Sequence, residues 1–273
     1  MAETSERLVE TSHGKVAVEL TRSCGPDVVL IHGNSFSREV FHRQVHSDLA
    51  ERYRLIAVDL PGHGQSDDAR EKSRTYPIVG LAEAVAETLD ELGVRDPVLL
   101  GWSLGGAVAI EMLAKGTGCR GLFITGAPPV GDNISEGFKG NLLQTVATRG
   151  PFLPPDAAEY VRHVFGLDAE KRFEDAALRT DKDFRPILFS SERRTERSDQ
   201  REVVARSAVP IAVVNGADDP VINLDYIDGL PFSNLWNRKC LRLQGSGHAP
   251  FLQNAASFNW LLGDFLKDLD AAA

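Results

Sequence analysis

The chain has 273 residues, a net charge of −9 at neutral pH, 42% hydrophobic and 25% charged residues. That length suits one large domain or two small ones with an ample buried core, and the acidic balance argues against nucleic acid or an anionic membrane surface as the main partner. The polar start Met1-Ala2-Glu3-Thr4-Ser5-Glu6-Arg7 has no apolar signal region, no run is long enough to span a bilayer, and Cys24, Cys119 and Cys240 are sparse and far apart, so a cytoplasmic protein with free thiols, acting as a monomer, is expected.

In chain order, Leu8–Thr11 and Lys15–Leu20 flank His13-Gly14 and predict a β-hairpin. Val28–Ile31 is apolar throughout, as a strand buried on both faces should be, and ends in His32-Gly33-Asn34-Ser35. A helix is predicted from Glu39 to Tyr53. The next buried strand, Leu55–Val58, runs into Asp59-Leu60-Pro61-Gly62-His63-Gly64-Gln65-Ser66, a loop of turn residues. A helix over Ile78–Leu92, the strand Pro97–Leu100, a helix after residue 106 and the strand Gly121–Thr125 complete a β-α alternation. That order predicts a mostly parallel sheet with helices on both faces. From Ala127 to about Ser207 no clear strand is read; glycines and prolines divide helical candidates at Ala157–Phe165, Lys171–Thr180 and Ser191–Val204. Strands then resume at Pro210–Asn215 and Lys239–Leu243, and a closing helix spans Phe251–Leu269. The expected organisation is a core of residues 1–130 and 208–273 with a helical cap over 131–207.

The chemistry centres on Gly101-Trp102-Ser103-Leu104-Gly105-Gly106, between a buried strand and a buried helix. Strand, G-x-S-x-G, helix is the setting of a nucleophile elbow, in which serine projects at the carboxyl end of the sheet and the helix N-terminus favours negative charge. A serine hydroxyl needs a base, and the base needs an orienting group. His248 follows Gly245-Ser246-Gly247, small residues that allow a tight loop. In Asn215-Gly216-Ala217-Asp218-Asp219-Pro220 the fourth residue of the Gly-x-x-Asp loop is Asp219, with Asp218 the alternative acid. The backbone N–H groups of Leu104 and Asn34 are the candidate oxyanion hole. His42 and His46 have helical spacing, but Arg43 stands where a zincin needs Glu, so no metal is expected. The Asp59–Ser66 loop lacks Gly-Lys-Ser/Thr and makes no phosphate cradle; no cofactor is expected. His63 reads as structural, and Arg193, Arg194, Arg197 and Arg201 as a solvated helix face.

IHGNS at Ile31–Ser35, DLPGHGQSD at Asp59–Asp67, GWSLGG at Gly101–Gly106, NGADDP at Asn215–Pro220 and GHAPF at Gly247–Phe251 together resemble the α/β-hydrolase superfamily. A closer resemblance is to its metal-independent N-acyl-homoserine lactonases. It rests on those stretches with ETSHGKVAV at Glu10–Val18, GLFITGAPPV at Gly121–Val130, PIAVVNG at Pro210–Gly216 and NLW at Asn234–Trp236. It is weakest between Gly131 and Ser207, although Tyr160 falls where that group has a cap tyrosine near the substrate. The acid can be glutamate in that group, and Asp219 holds the matching position. The resemblance implies an α/β-hydrolase fold and a serine hydrolase that opens the lactone. Ser103, His248 and Asp219 are then the catalytic residues, Asn34 and Leu104 the oxyanion hole, and Asn34, Trp102 and Tyr160 the substrate contacts. Phe138, Phe152 and Phe165 are candidates either for an apolar acyl wall or for the cap's own small core. An esterase or carbon–carbon bond hydrolase for another small acyl substrate, and a slow-turnover receptor, are the alternatives.

Overall fold

A computed structural model describes residues 3–140, 145–190 and 197–272. Eight strands form one sheet: β1 (Thr4–Thr11), β2 (Gly14–Thr21), β3 (Asp27–Ile31), β4 (Arg54–Val58), β5 (Val98–Trp102), β6 (Gly121–Thr125), β7 (Ile211–Gly216) and β8 (Leu241–Leu243). Their order is β1-β2-β4-β3-β5-β6-β7-β8. The β1–β2 hairpin runs antiparallel to the rest at one edge, and β4 to β8 with β3 are parallel. The apolar runs in β3 to β7 are explained by cover on both faces. Alternation of side chains along each strand divides them between two cores. Val28, Leu30, Leu55, Leu100, Phe123 and Val214 pack with Phe258, Leu262 and Phe265 of the closing helix. Val29, Ile31, Ile56, Leu99, Leu122 and Val213 pack with Leu81 and Val85 of the helix Ile78–Glu91 and with Val108 and Met112 of the helix Leu104–Ala114.

Between β6 and β7 the described residues form helices and turns, chiefly Pro154–Phe165, Lys171–Arg179, Phe184–Leu188 and Gln200–Arg206. The first begins with prolines where N–H groups would lack partners anyway, and the Asp156 carboxylate accepts from the Leu153 N–H at 2.9 Å. The Phe184–Leu188 turn was not read from the sequence. The candidate Ser191–Val204 lies partly outside the described residues, as do Arg193 and Arg194; the helix there starts at Gln200, where Asp199 caps the Arg201 N–H at 3.0 Å.

Two long helical readings are broken in the structure. The stretch Glu39–Tyr53 is three short turns, Arg38–Phe41, His42–Val45 and Leu49–Arg52. Ser47 explains the second break: its hydroxyl donates to the Gln44 carbonyl at 2.7 Å and accepts from the Leu49 N–H at 3.3 Å, so a side chain replaces the helical ladder. The closing helix is split into Pro250–Gln253 and Ala255–Ala272 by Asn254, whose φ of −138° is not helical.

Candidate active site

Ser103 sits at the turn between β5 and the helix Leu104–Ala114 with φ 53° and ψ −117°, a conformation costly for a side-chain residue. Close packing holds it there. A Cβ on residue 105 would lie 2.0 Å from the Ile31 carbonyl oxygen, and one on residue 101 would lie 2.4 Å from the Gly105 oxygen, so only glycine fits either flank. The Ser103 N–H donates to the Thr125 carbonyl at 2.9 Å, tying the elbow to β6. Ser103 and Leu104 are half-exposed at the floor of a cavity of about 270 Å³, which Asn34, Tyr160 and His248 also line.

His248 stands on the loop after β8 and is 3% exposed. Its Nδ1 lies 2.8 Å from Asp219 Oδ2. Its carbonyl accepts the Trp102 indole N–H at 2.8 Å, and a Cβ on residue 126 would approach its Cε1 to 2.9 Å; Gly126, with φ 58°, makes room for the ring. Asp219 is fully buried on the loop after β7. Its other oxygen accepts the N–H groups of Val221 at 2.7 Å and Ile222 at 3.0 Å. Burial pushes this carboxyl up, but the His248 charge and hydrogen bond and the two backbone donors outweigh it and hold Asp219 below the usual range. Asp218 is exposed. Of the two adjacent carboxylates, Asp219 is therefore the one facing His248.

Asn34 follows β3 and is held from several sides. Its amide donates to the Ala147 carbonyl at 3.0 Å, its side-chain oxygen accepts the Ser35 hydroxyl at 2.8 Å, and its own carbonyl accepts the Tyr160 hydroxyl at 2.9 Å. The preceding carbonyl, that of Gly33, is 2.8 Å from His32 Nδ1, while His32 Nε2 accepts the Leu60 N–H at 3.0 Å. In a trans peptide the Asn34 N–H points opposite to that carbonyl. His63 is placed the same way: Nδ1 is 3.0 Å from the Pro61 carbonyl and Nε2 accepts the Ser35 N–H at 3.2 Å. Each ring nitrogen that accepts an N–H must be unprotonated, so both imidazoles are neutral. Burial is the main cause that lowers both pKa values, His63 well below its usual value. His63 holds the Ser35 N–H and lies off the cavity, in line with its reading as structural; the contacts of His32 and Ser35 with neighbouring loops were not read from the sequence, because nothing local marks them.

The remaining expectations divide. Trp102, expected to touch substrate, is fully buried and not among the residues that line the cavity; it contacts Phe36 and Phe251, with its indole N–H engaged by the His248 carbonyl. Phe138 lines the cavity, together with Phe189, which was not foreseen. Phe165 packs in the core against Phe36 and Phe173, and Phe152 against Tyr160. Val130, Ile134, Val146, Val164 and Leu188 extend the apolar wall. Lys139, which also lines the cavity, ties the Asp219 loop to the segment after β6: its Nζ donates to the Asp219 carbonyl at 2.7 Å.

The alpha/beta hydrolase family profile matches residues 28–259, and the chain belongs to that family. Within it, the chain is similar to the N-acyl homoserine lactonase AidH. A structure of an AidH variant complexed with N-hexanoyl homoserine shares 39% identity over 98% of both chains with a TM-score of 0.94. AidH complexed with N-butanoyl homoserine shares 39% identity over 97% of both chains with a TM-score of 0.93. The chain is also similar to a pimeloyl-[acyl-carrier protein] methyl ester esterase of Xanthomonas axonopodis pv. citri, at 29% identity over 90% of this chain and 96% of that one. Esterase RhEst1 from Rhodococcus sp. ECU1013, at 24% identity and a TM-score of 0.76 over 97% of this chain and 99% of that one, shares the fold. No described helix is long and apolar enough to cross a membrane.

Proposed function

We propose that the protein is a serine hydrolase that opens the lactone ring of N-acyl-homoserine lactones. The observation that carries the hydrolytic part is the 2.8 Å contact between a fully buried Asp219 and His248, which lines the same cavity as Ser103. The Asp219 carboxylate keeps the proton on Nδ1 and leaves Nε2 as the base. His248 takes the Ser103 proton as the hydroxyl attacks the ring carbonyl. The amides of Asn34 and Leu104 hold the oxyanion. His248 then gives its proton to the ring oxygen as the carbon–oxygen bond breaks, leaving an acyl-enzyme whose freed hydroxyl remains part of the same molecule. A water, deprotonated by His248, releases N-acyl homoserine and restores Ser103. No step calls on a metal.

The lactone reading rests on the similarity to AidH along the whole chain. It also suits the cavity, which combines a polar end at Asn34 and Tyr160 with an apolar wall. The Tyr160 oxygen, its proton given to Asn34, retains lone pairs for the acyl amide N–H. Residues 131–207 serve as the cap, and their apolar side chains receive the acyl chain. A second reading, hydrolysis of a pimeloyl-type methyl ester by the same machinery, is favoured by the Xanthomonas relative. The discriminating experiment is kcat/KM for N-hexanoyl homoserine lactone, pimeloyl methyl ester and p-nitrophenyl acetate, with and without EDTA. The lactone is expected to exceed the methyl ester by at least about tenfold, unaffected by EDTA; the reverse order selects the second reading.

A further inference from the structure

Arg185, in the turn Phe184–Leu188, is 1% exposed, and among the described residues it forms no ion pair. Burying an unpaired guanidinium is expensive. Burial accordingly pulls its pKa down to about 10, which leaves it charged at neutral pH. Its hydrogen-bond partners are neutral, and the charge of the Asp156 carboxylate offsets burial only in part. Nε faces the carbonyls of Arg149 at 3.0 Å and Gly150 at 3.3 Å, and the Phe152 ring centroid lies 3.7 Å from the guanidinium carbon. Nη1 donates to the Ser35 hydroxyl at 2.6 Å, and Nη2 has no partner among the described residues. Arg185 does not line the cavity.

We propose that Arg185 is a positioning residue for the oxyanion hole, orienting Asn34 through the Ser35 hydroxyl. The inference rests on the reading of the Asn34 amide as an oxyanion donor. A guanidinium only donates, so the single Ser35 proton must point elsewhere. It goes to Asn34 Oδ1, 2.8 Å away. That fixes which end of the Asn34 amide is nitrogen, and the nitrogen meets the Ala147 carbonyl at 3.0 Å. The Ala147 carbonyl, which only accepts, demands the same orientation, so Arg185 through Ser35 and Ala147 hold the Asn34 side chain from its two ends. Ser35 also has φ 64°, a left-handed conformation that non-glycine residues adopt at a cost and keep only when neighbours hold them. Arg185, Tyr160 and Ala147 all come from the segment between β6 and β7. The groups that hold Asn34 and Ser35 thus come from that segment and not from the sheet that carries them.

The test compares wild type, Arg185→Met, Ser35→Gly and the double variant on N-hexanoyl homoserine lactone and p-nitrophenyl acetate. Methionine fills much of the arginine volume without leaving a buried charge. Glycine adopts the Ser35 backbone readily. Removing an oxyanion donor outright costs about 10²–10³ in kcat; loosening one costs less. Each single variant should lose about tenfold to a hundredfold in kcat on both substrates, with KM within about threefold. Affinity for phenylboronic acid, which forms a tetrahedral adduct on the serine, should fall by a similar factor. The double variant should be no worse than the weaker single one, because the two residues act in series. A lowered melting temperature with unchanged kcat, a change in KM alone, or multiplying losses in the double variant overturns the proposal. Should Arg185→Met fail to fold, Ser35→Gly carries the same kcat and boronate test. Wild type inactive on both substrates overturns the hydrolase reading and this inference with it; active wild type with unaffected variants overturns this inference alone.

Discussion

Replacing Asp219 with asparagine changes almost nothing in shape, and the structure fixes how the new amide must sit. One carboxylate oxygen accepts N–H groups from Val221 at 2.7 Å and Ile222 at 3.0 Å. An amide nitrogen cannot accept either bond, so the asparagine oxygen must occupy that place and its NH2 must face His248 Nδ1. The imidazole then has to accept at Nδ1 and carry its proton on Nε2, the nitrogen that should receive the Ser103 proton. The wrong tautomer of an otherwise intact triad lowers kcat by about 10⁴, or about 5 kcal/mol of transition-state stabilisation. Stability should change less, since both backbone bonds survive. The assay is kcat on p-nitrophenyl acetate and on N-hexanoyl homoserine lactone, with circular dichroism as the folding control. Asp218→Asn, on an exposed side chain, should stay within about twofold. Asp219→Asn within tenfold of wild type, or Asp218→Asn as damaging as Asp219→Asn, refutes the reasoning.

Three further outcomes are expected. Acid should destabilise the fold early: buried His32 and His63 have folded pKa values below their ordinary 6.5, so the unfolded chain binds more protons, and their stability, full above about pH 6.5, is lost as pH falls toward the folded values. His13 and His42, lowered chiefly by burial, act in the same direction; a melting temperature that rises between pH 7 and pH 5 contradicts this. Tyr160→Phe removes the bond to the Asn34 carbonyl and should cost about threefold to tenfold in kcat even on p-nitrophenyl acetate, with a larger loss on the lactone; an unaffected ester rate shows that this bond has no part in holding Asn34. Gly105→Ala places a Cβ 2.0 Å from the Ile31 oxygen and should cost about 3 kcal/mol or more in a urea titration; a loss under about 1 kcal/mol shows the elbow to be looser than described.

The sheet was legible because strands buried on both faces must be apolar throughout, and each such run here ends in glycine-bearing loops. The Ser103 elbow was legible for a related reason, since its tight turn demands glycines that a sequence displays. Position in the Gly-x-x-Asp loop pointed to Asp219 over Asp218, and burial of the one and exposure of the other agree with that preference. Long helices were less legible. Periodicity runs through Ser47 and Asn254, but one offers its side chain to the backbone and the other leaves helical φ, and neither outcome follows from spacing. Contacts between distant segments were not legible at all. Arg185 and Ser35 are 150 positions apart, and Trp102, the last residue of β5 and adjacent to the nucleophile in sequence, is buried with its indole N–H on the His248 carbonyl, a contact across 146 positions.

The central claim is that Ser103 opens an acyl homoserine lactone. Incubating N-hexanoyl homoserine lactone with wild type and with Ser103→Ala, and reading N-hexanoyl homoserine by mass against the enzyme-free rate, tests it most directly. The account expects rapid appearance of the ring-opened acid with wild type, undiminished by EDTA, and a rate near background with Ser103→Ala. Ring opening that survives the loss of Ser103, or intact lactone in the presence of wild-type enzyme that hydrolyses p-nitrophenyl acetate briskly, contradicts it.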